Sequence, residues 1–245
     1  GRMIGTSRQI YASNSNENTY TELWNSRFFG FKYLPTTFEN TESPRRLKPL
    51  NLYYHMYSGQ KLAALNALTG NLDYVRNQKI APVSASHYAA IGEGFYTTRL
   101  VRVGTSKWQV RDRGALQTIR FDNAAGKTVD FERSRGVLGQ RHHQGSLYVS
   151  LDQSAAVPVV ALATPSPKLA SSHGQSLRLV DARWRVWNWA PDRAGATFTA
   201  QGFGDGEFAW MGAAGGTYEI TAKGTNTSWT GKAAKGPNGV MRFTV

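Results

Sequence analysis

Two short runs, Thr97-Thr98-Arg99-Leu100-Val101-Arg102-Val103 and Trp108-Gln109-Val110-Arg111, mark where the chain turns to β texture. Apolar and β-branched residues are interleaved with polar ones in both, as in a half-buried strand. The same texture recurs at 116–122, 128–133, 147–151, 157–162, 176–180, 184–189, 197–201, 207–211, 217–222 and 240–245. Turn formers separate the runs at 123–126, 202–206 and 212–216. Short strands at this spacing, in a chain with 25 Gly and 9 Pro, predict a β-sandwich or jelly roll over 96–245. No fixed-period repeat is visible, so neither a solenoid nor a propeller is expected.

Upstream of 96 the pattern differs. Residues 7–12 form a strand candidate that runs into a polar loop, Ser13-Asn14-Ser15-Asn16-Glu17-Asn18. Residues 20–31 are aromatic and suit a short helix ending at Gly30. Leu50-Asn51-Leu52-Tyr53-Tyr54-His55-Met56-Tyr57 has high β propensity and reads as a buried strand. Ser58 then looks like a helix N-cap, with Leu62, Leu65, Leu68, Leu72 and Val75 on one helical face. A further extended piece at 80–86 precedes a helix start at 87–91. Strands alternating with helices predict the last part of an α/β sheet or barrel, in which chemistry sits at strand C-termini. The expectation is therefore α+β and multidomain: residues 1–95 an α/β end piece, residues 96–245 a β-sandwich.

Composition narrows the classes. The chain has 245 residues, 40% of them apolar and 12% aromatic, enough to bury a sizeable core. It has no Cys, which excludes disulfides, zinc–thiolate sites, Fe–S ligation and thiol catalysis. No run of apolar residues is long enough for a membrane span. Lys and Arg number 29 against 16 Asp and Glu, a net charge of +13 that favours anionic partners. The charge is dispersed, with 10 basic and 6 acidic residues in 1–95 and 19 and 10 in 96–245. Only Arg45-Arg46-x-Lys48 forms a local cluster, so a nucleic-acid partner is not expected.

Few residues carry chemistry. His55, flanked by Tyr53, Tyr54 and Tyr57, lies at a strand end and suits general acid/base work; it equally suits a buried structural role. Asn16 and Glu17 offer amide and carboxylate groups for sugar hydroxyls, or form a solvated turn. Trp24 fits a sugar-stacking wall or a core position. The adjacent His142 and His143 point to opposite faces of a strand and do not share one ion. Arg183-Trp184-Arg185-Val186-Trp187-Asn188-Trp189 alternates, placing Trp187 and Trp189 on one face with Arg183 and Arg185. That face is a stacking platform for sugar, or arginine stems packed over a core. The run Gly202-x-Gly204-x-Gly206 lacks the Lys of a phosphate loop and reads as a turn.

The stretch from Ile10 to Trp24 and the run Ser43-Pro44-Arg45-Arg46-Leu47-Lys48-Pro49-Leu50-Asn51-Leu52-Tyr53-Tyr54-His55-Met56-Tyr57-Ser58 resemble one family. Lys61-Leu62-Ala63-Ala64-Leu65-Asn66-Ala67-Leu68 and Pro82-Val83-Ser84-Ala85-Ser86-x-Tyr88 follow in the same order. The chain resembles the C-terminal part of the PelA-type proteins of bacterial Pel exopolysaccharide biosynthesis, over about residues 8–150. In that family a polysaccharide deacetylase domain precedes a β-sandwich.

The resemblance implies part of a zinc-dependent N-deacetylase acting on an amino-sugar exopolysaccharide of the biofilm matrix, in the periplasm or outside the cell. Zinc-bound water attacks the amide in such enzymes, and a late His protonates the leaving amine. Tyr53-Tyr54-His55 matches that late motif, so the resemblance makes His55 the general acid. It places Asn16, Glu17, Trp24 and Tyr54 at the substrate rim. The sequence has no Asp-x-Asp and no His-x-x-His, so the zinc ligands and base are expected in an upstream catalytic half of the same polypeptide. This segment by itself is expected to hold no zinc and to be inactive. The alternative is a non-catalytic glycan-binding sandwich that uses Trp187 and Trp189.

Overall fold

The computed structural model describes residues 2–10, 31–40, 49–167, 177–192, 195–212, 216–236 and 238–245, with the backbone alone at Ser58. Two compact units divide the chain, Gly1–Ile80 and Ala81–Val245.

The first unit is small and mostly helical. Strands β1 (Arg2–Ile4) and β2 (Ser7–Gln9) form an antiparallel hairpin. Helix α1 (Leu34–Asn40), a 3-10 turn at Met56–Gln60 and helix α2 (Leu62–Arg76) follow. Phe31, Leu34 and Phe38 pack against Ala64, Ala67 and Leu68 of α2. The side chain of Asn71 donates to the Phe31 carbonyl at 2.6 Å, satisfying a buried amide. The buried stripe of α2 is thus Ala64, Ala67, Leu68 and Asn71. Its small residues admit the rings of Phe31 and Phe38. Leu62, Leu65 and Leu72, expected on the buried face, are exposed.

This unit corrects the expected fold class. It contains no parallel sheet among the described residues and is not the end of an α/β barrel. Residues 50–57 form no ladder strand. Tyr53, His55 and Tyr57 instead pack on one another along one side of an extended segment, which curls into the 3-10 turn at Met56. High β propensity expresses packing against neighbouring strands, and this segment makes only an isolated bridge at Tyr53. Ser58 lies within that turn, and the N-cap of α2 is Lys61, whose side chain makes no capping bond.

The second unit is β-rich and consistent with a sandwich. It opens with helix α3 (Ala85–Thr97), capped by Ser84, whose hydroxyl accepts from the His87 amide at 3.2 Å. The strands are β3 (Arg99–Gly104), β4 (Lys107–Arg111), β5 (Thr118–Phe121), β6 (Thr128–Val129), β7 (Val137–His143) and β8 (Ser146–Leu151). They continue with β9 (Val159–Ala163), β10 (Arg178–Ala182), β11 (Arg185–Pro191), β12 (Ala196–Gln201) and β13 (Glu207–Met211). The last are β14 (Thr217–Lys223), β15 (Ser228–Ala234) and β16 (Val240–Thr244).

A six-stranded sheet, in the order β16-β13-β10-β7-β8-β5, runs through the unit. One core lies between its β5, β7 and β8 strands and the four-stranded sheet β3-β4-β9-β6, with Ile119, Leu147, Val149 and Leu151 facing Val110, Val129, Val160 and Leu162. A second lies between β7, β10, β13 and β16 and the two ribbons β11–β12 and β14–β15, built on Leu138, Leu179, Phe208, Trp210 and Met241. Strand β7 serves both: Val137 packs in the first core and Leu138 in the second, consecutive residues on opposite faces. The seam between the halves is the pairing of β7 with β10, parallel and registered at Leu179 and Gly139. The other described strand pairings are antiparallel.

Candidate glycan-binding face

His55 and Tyr54 belong to the first unit. The Tyr53 hydroxyl lies 3.2 Å from His55 Nε2, and the imidazole stacks on Tyr57 at 4.8 Å. In an extended segment successive side chains alternate, so Tyr54 points away from that aromatic trio. Its ring is exposed. Asn16, Glu17 and Trp24 lie outside the described residues. Among those described, no three His, Asp or Glu side chains form a group that could hold a metal ion. The described residues thus offer no donor set for the zinc that the family resemblance implies.

His142 and His143 do point apart. His142 Nε2 meets the Lys127 carbonyl at 2.8 Å, whereas the ring of His143 lies 6.3 Å from that of Tyr148.

The β11–β12 ribbon sorts the tryptophans. Arg185 pairs with Gln201, Val186 with Ala200 and Trp187 with Thr199; the register then slips by one, to Ala190 with Thr197 and Pro191 with Ala196. Asn188 takes a left-handed conformation, φ 53°, and supplies the extra residue of a β-bulge. Strict alternation would leave Trp187 and Trp189 on one face. The inserted residue turns Trp189 inward, where its ring stacks on Trp210 at 4.7 Å and packs with Phe198. Trp187 stays on the outer face. The structure thus separates the two tryptophans that the sequence places together.

Asp152, in the turn after β8, fixes the bulge. One carboxylate oxygen accepts from the Asn188 amide at 3.1 Å and the other from the Trp189 amide at 2.8 Å. The same group accepts from the Ser154 amide at 2.9 Å and the Ser154 hydroxyl at 2.6 Å. Arg113, itself buried, holds that turn from the other side by donating to the carbonyls of Asp152 at 2.7 Å and Ala155 at 2.9 Å.

The outer face of the ribbon carries Arg185, Trp187, Thr199 and Gln201. The Arg185 guanidinium lies 4.7 Å from the Trp187 ring centroid and donates to the Gln201 side chain. Asn188 donates to the Thr199 hydroxyl at 3.3 Å. A half-buried indole held by a stacked guanidinium, and rimmed by amide and hydroxyl groups, matches the amphipathic character of a sugar: apolar C–H face, polar edge. Thr199 and Gln201 were not singled out from sequence. Their signal was the alternation of 196–201, which becomes informative only once the partner strand is known.

His87 of α3 lies near this face. Burial, and then the charge of Arg185, hold its pKa below the ordinary 6.5. The folded protein binds that proton less readily than the unfolded chain, so His87 weakens stability as the pH falls below 6.5. His87→Gln is expected to flatten the fall in melting temperature between neutral and mildly acidic pH. An unchanged slope would refute this.

No family model matches the chain, and no curated protein or solved structure matches it significantly. No helix among the described residues is long and apolar enough to cross a membrane.

Proposed function

We propose that Ala81–Val245 is a non-catalytic glycan-binding module of an exopolysaccharide-modifying protein of the periplasm or cell exterior, and that it engages an amino-sugar polymer through the outer face of the β11–β12 ribbon. The observation that carries this reading is the sorting by the Asn188 bulge. It turns the half-buried Trp189 inward onto Trp210 and Phe198 and leaves Trp187 on the outer face, beside Arg185, Thr199 and Gln201. The family resemblance supplies the substrate class. The β-sandwich, rather than His55, bears the proposal because His55 lacks the strand end and parallel sheet on which its role as general acid was drawn.

The test is calorimetric titration of the chain with N-acetylated amino-sugar oligomers. Trp187→Ala is expected to remove about 2 kcal/mol, the scale of a tryptophan at a binding hot spot, or roughly thirtyfold in affinity. Trp229→Ala, at an exposed tryptophan on β15, is the control and leaves affinity unchanged. Affinity that survives Trp187→Ala within twofold would sink the proposal. So would preferential binding of a non-sugar polyanion such as polyphosphate with steep salt dependence, which would mark a charge-driven partner.

A further inference from the structure

A second, smaller site lies near the seam of the two β cores. A cavity of about 180 Å³ is lined by Phe131, Ser134, Asp152, Arg178, Trp189 and Pro191, among others. That is below the roughly 300 Å³ of a pocket for a whole drug-sized ligand, so it takes one functional group and part of a ring. Two of its lining residues carry buried N–H donors without an acceptor, Arg178 Nε and Trp189 Nε1. Trp184 and Trp210 have unpartnered indole N–H groups as well, but they do not line the cavity.

Arg178 is the unusual group. It takes part in none of the ion pairs among the described residues. Its guanidinium lies 4.1 Å from the Phe131 ring centroid, and burial holds its pKa below the ordinary value. Stacking uses the face of a guanidinium and leaves its in-plane N–H fork for an acceptor. A partly desolvated cation without a counter-ion is costly, and an anion entering beside it recovers that cost. Asp152 is the acidic group in the lining. It makes no ion pair with Arg178, and its oxygens are directed at the neutral donors of Ser154, Asn188 and Trp189, so the guanidinium fork keeps its N–H groups for a ligand.

We propose that this cavity binds the carboxylate of an acidic sugar, with the Arg178 fork and the Trp189 indole N–H as donors and Phe131 beneath the guanidinium. A planar carboxylate matches the fork in two hydrogen bonds, and the net charge of +13 draws such a ligand in. The choice of a sugar as carrier rests on the glycan-binding reading. The donor set does not, and the site is separate from the outer face of the ribbon.

The experiment is a thermal-shift and tryptophan-fluorescence titration of the full chain with glucuronate, with glucose and acetate as comparison probes. Glucuronate is expected to raise the melting temperature and change the emission. Glucose should do neither, and acetate should act more weakly than glucuronate at equal concentration. Arg178→Met should abolish the glucuronate effects while leaving the unliganded protein no less stable, since it removes an unpaired cation. Arg178→Lys, which keeps the charge without the fork, should weaken them at least tenfold. Trp187→Ala should leave them intact, so failure of the ribbon site and failure of this one are distinguishable. A glucuronate shift that persists in Arg178→Met, or one that glucose or acetate equals, would overturn the proposal.

Discussion

Asp152→Ala is expected to cost about 4 kcal/mol of unfolding free energy, since hydrogen bonds to a charged group contribute roughly 1.5–3 kcal/mol each and a buried donor left unpaired costs a further ~1–3 kcal/mol. The carboxylate is buried and accepts four hydrogen bonds. The two from Asn188 and Trp189 matter most. Their amides sit in the bulge of β11, where the ladder to β12 has slipped and has no acceptor opposite them. Without Asp152 the bulge loses the group that makes its extra residue tolerable, and Trp189 loses the backbone anchor that aims it at Trp210. Asp152→Asn keeps one carbonyl oxygen but turns an amide NH₂ toward backbone donors, and it removes the charge that partly offsets the burial of Arg113. About half the loss is expected there. Urea unfolding followed by tryptophan emission measures both, and emission of the folded Asp152→Ala protein should shift to the red as Trp189 loosens. A cost below about 1 kcal/mol would mean that solvent replaces the carboxylate and that the bulge is held by the ribbon itself.

The bulge also marks the limit of what the sequence discloses. Alternation in 184–189 predicts a strand, and β11 is one. The same alternation assigns Trp189 to the wrong side, because one residue inserted in one strand inverts every later side chain and leaves no local trace beyond an Asn suited to positive φ. The twelve strand runs marked in 96–245 each fall on a strand, with shifted ends, because half-buried strands carry their period in the chain. Strand β15 was missed, and so was strand β7. Its residues, Val-Leu-Gly-Gln-Arg-His-His, show neither β propensity nor clean alternation, since its two faces enter different cores and Gln140 spends its side chain on Val129 and Thr128 of β6. Residues 50–57 err in the opposite direction: a run of aromatics reads as a strand, but the segment makes one isolated bridge, at Tyr53, and no ladder. The role of Asp152 in the bulge gave no signal, because the two bulge amides that it accepts from lie 36 and 37 residues away in sequence.

Gly139→Val is expected to split the six-stranded sheet. A Cβ at Gly139 would overlap the backbone carbonyl of Leu179 on β10, and a backbone atom cannot swing aside as a side-chain end can. Glycine ordinarily weakens a strand interior, by roughly 0.5–1 kcal/mol relative to Ala; at this position it is what lets β7 and β10 approach. The seam rests on a single registered parallel pair, so no neighbouring rung can absorb the displacement. The expected loss is about 4 kcal/mol or more, in the range of the largest single-residue effects. The manner of unfolding is the sharper readout. The first core closes on Leu147, Val149 and Val160, and the second on Phe208, Trp210 and Met241, so the variant should melt in two steps where the parent melts in one. Limited proteolysis should cut between the two halves. Gly126→Ala is the control, because a Cβ there meets nothing within 4 Å; it should be neutral or slightly stabilising. A single cooperative transition in Gly139→Val, within 1 kcal/mol of the parent, would show that β10 can withdraw from β7 without cost, and that the two cores are joined through Gln117 and Asp152, which reach across to β11, rather than through the sheet.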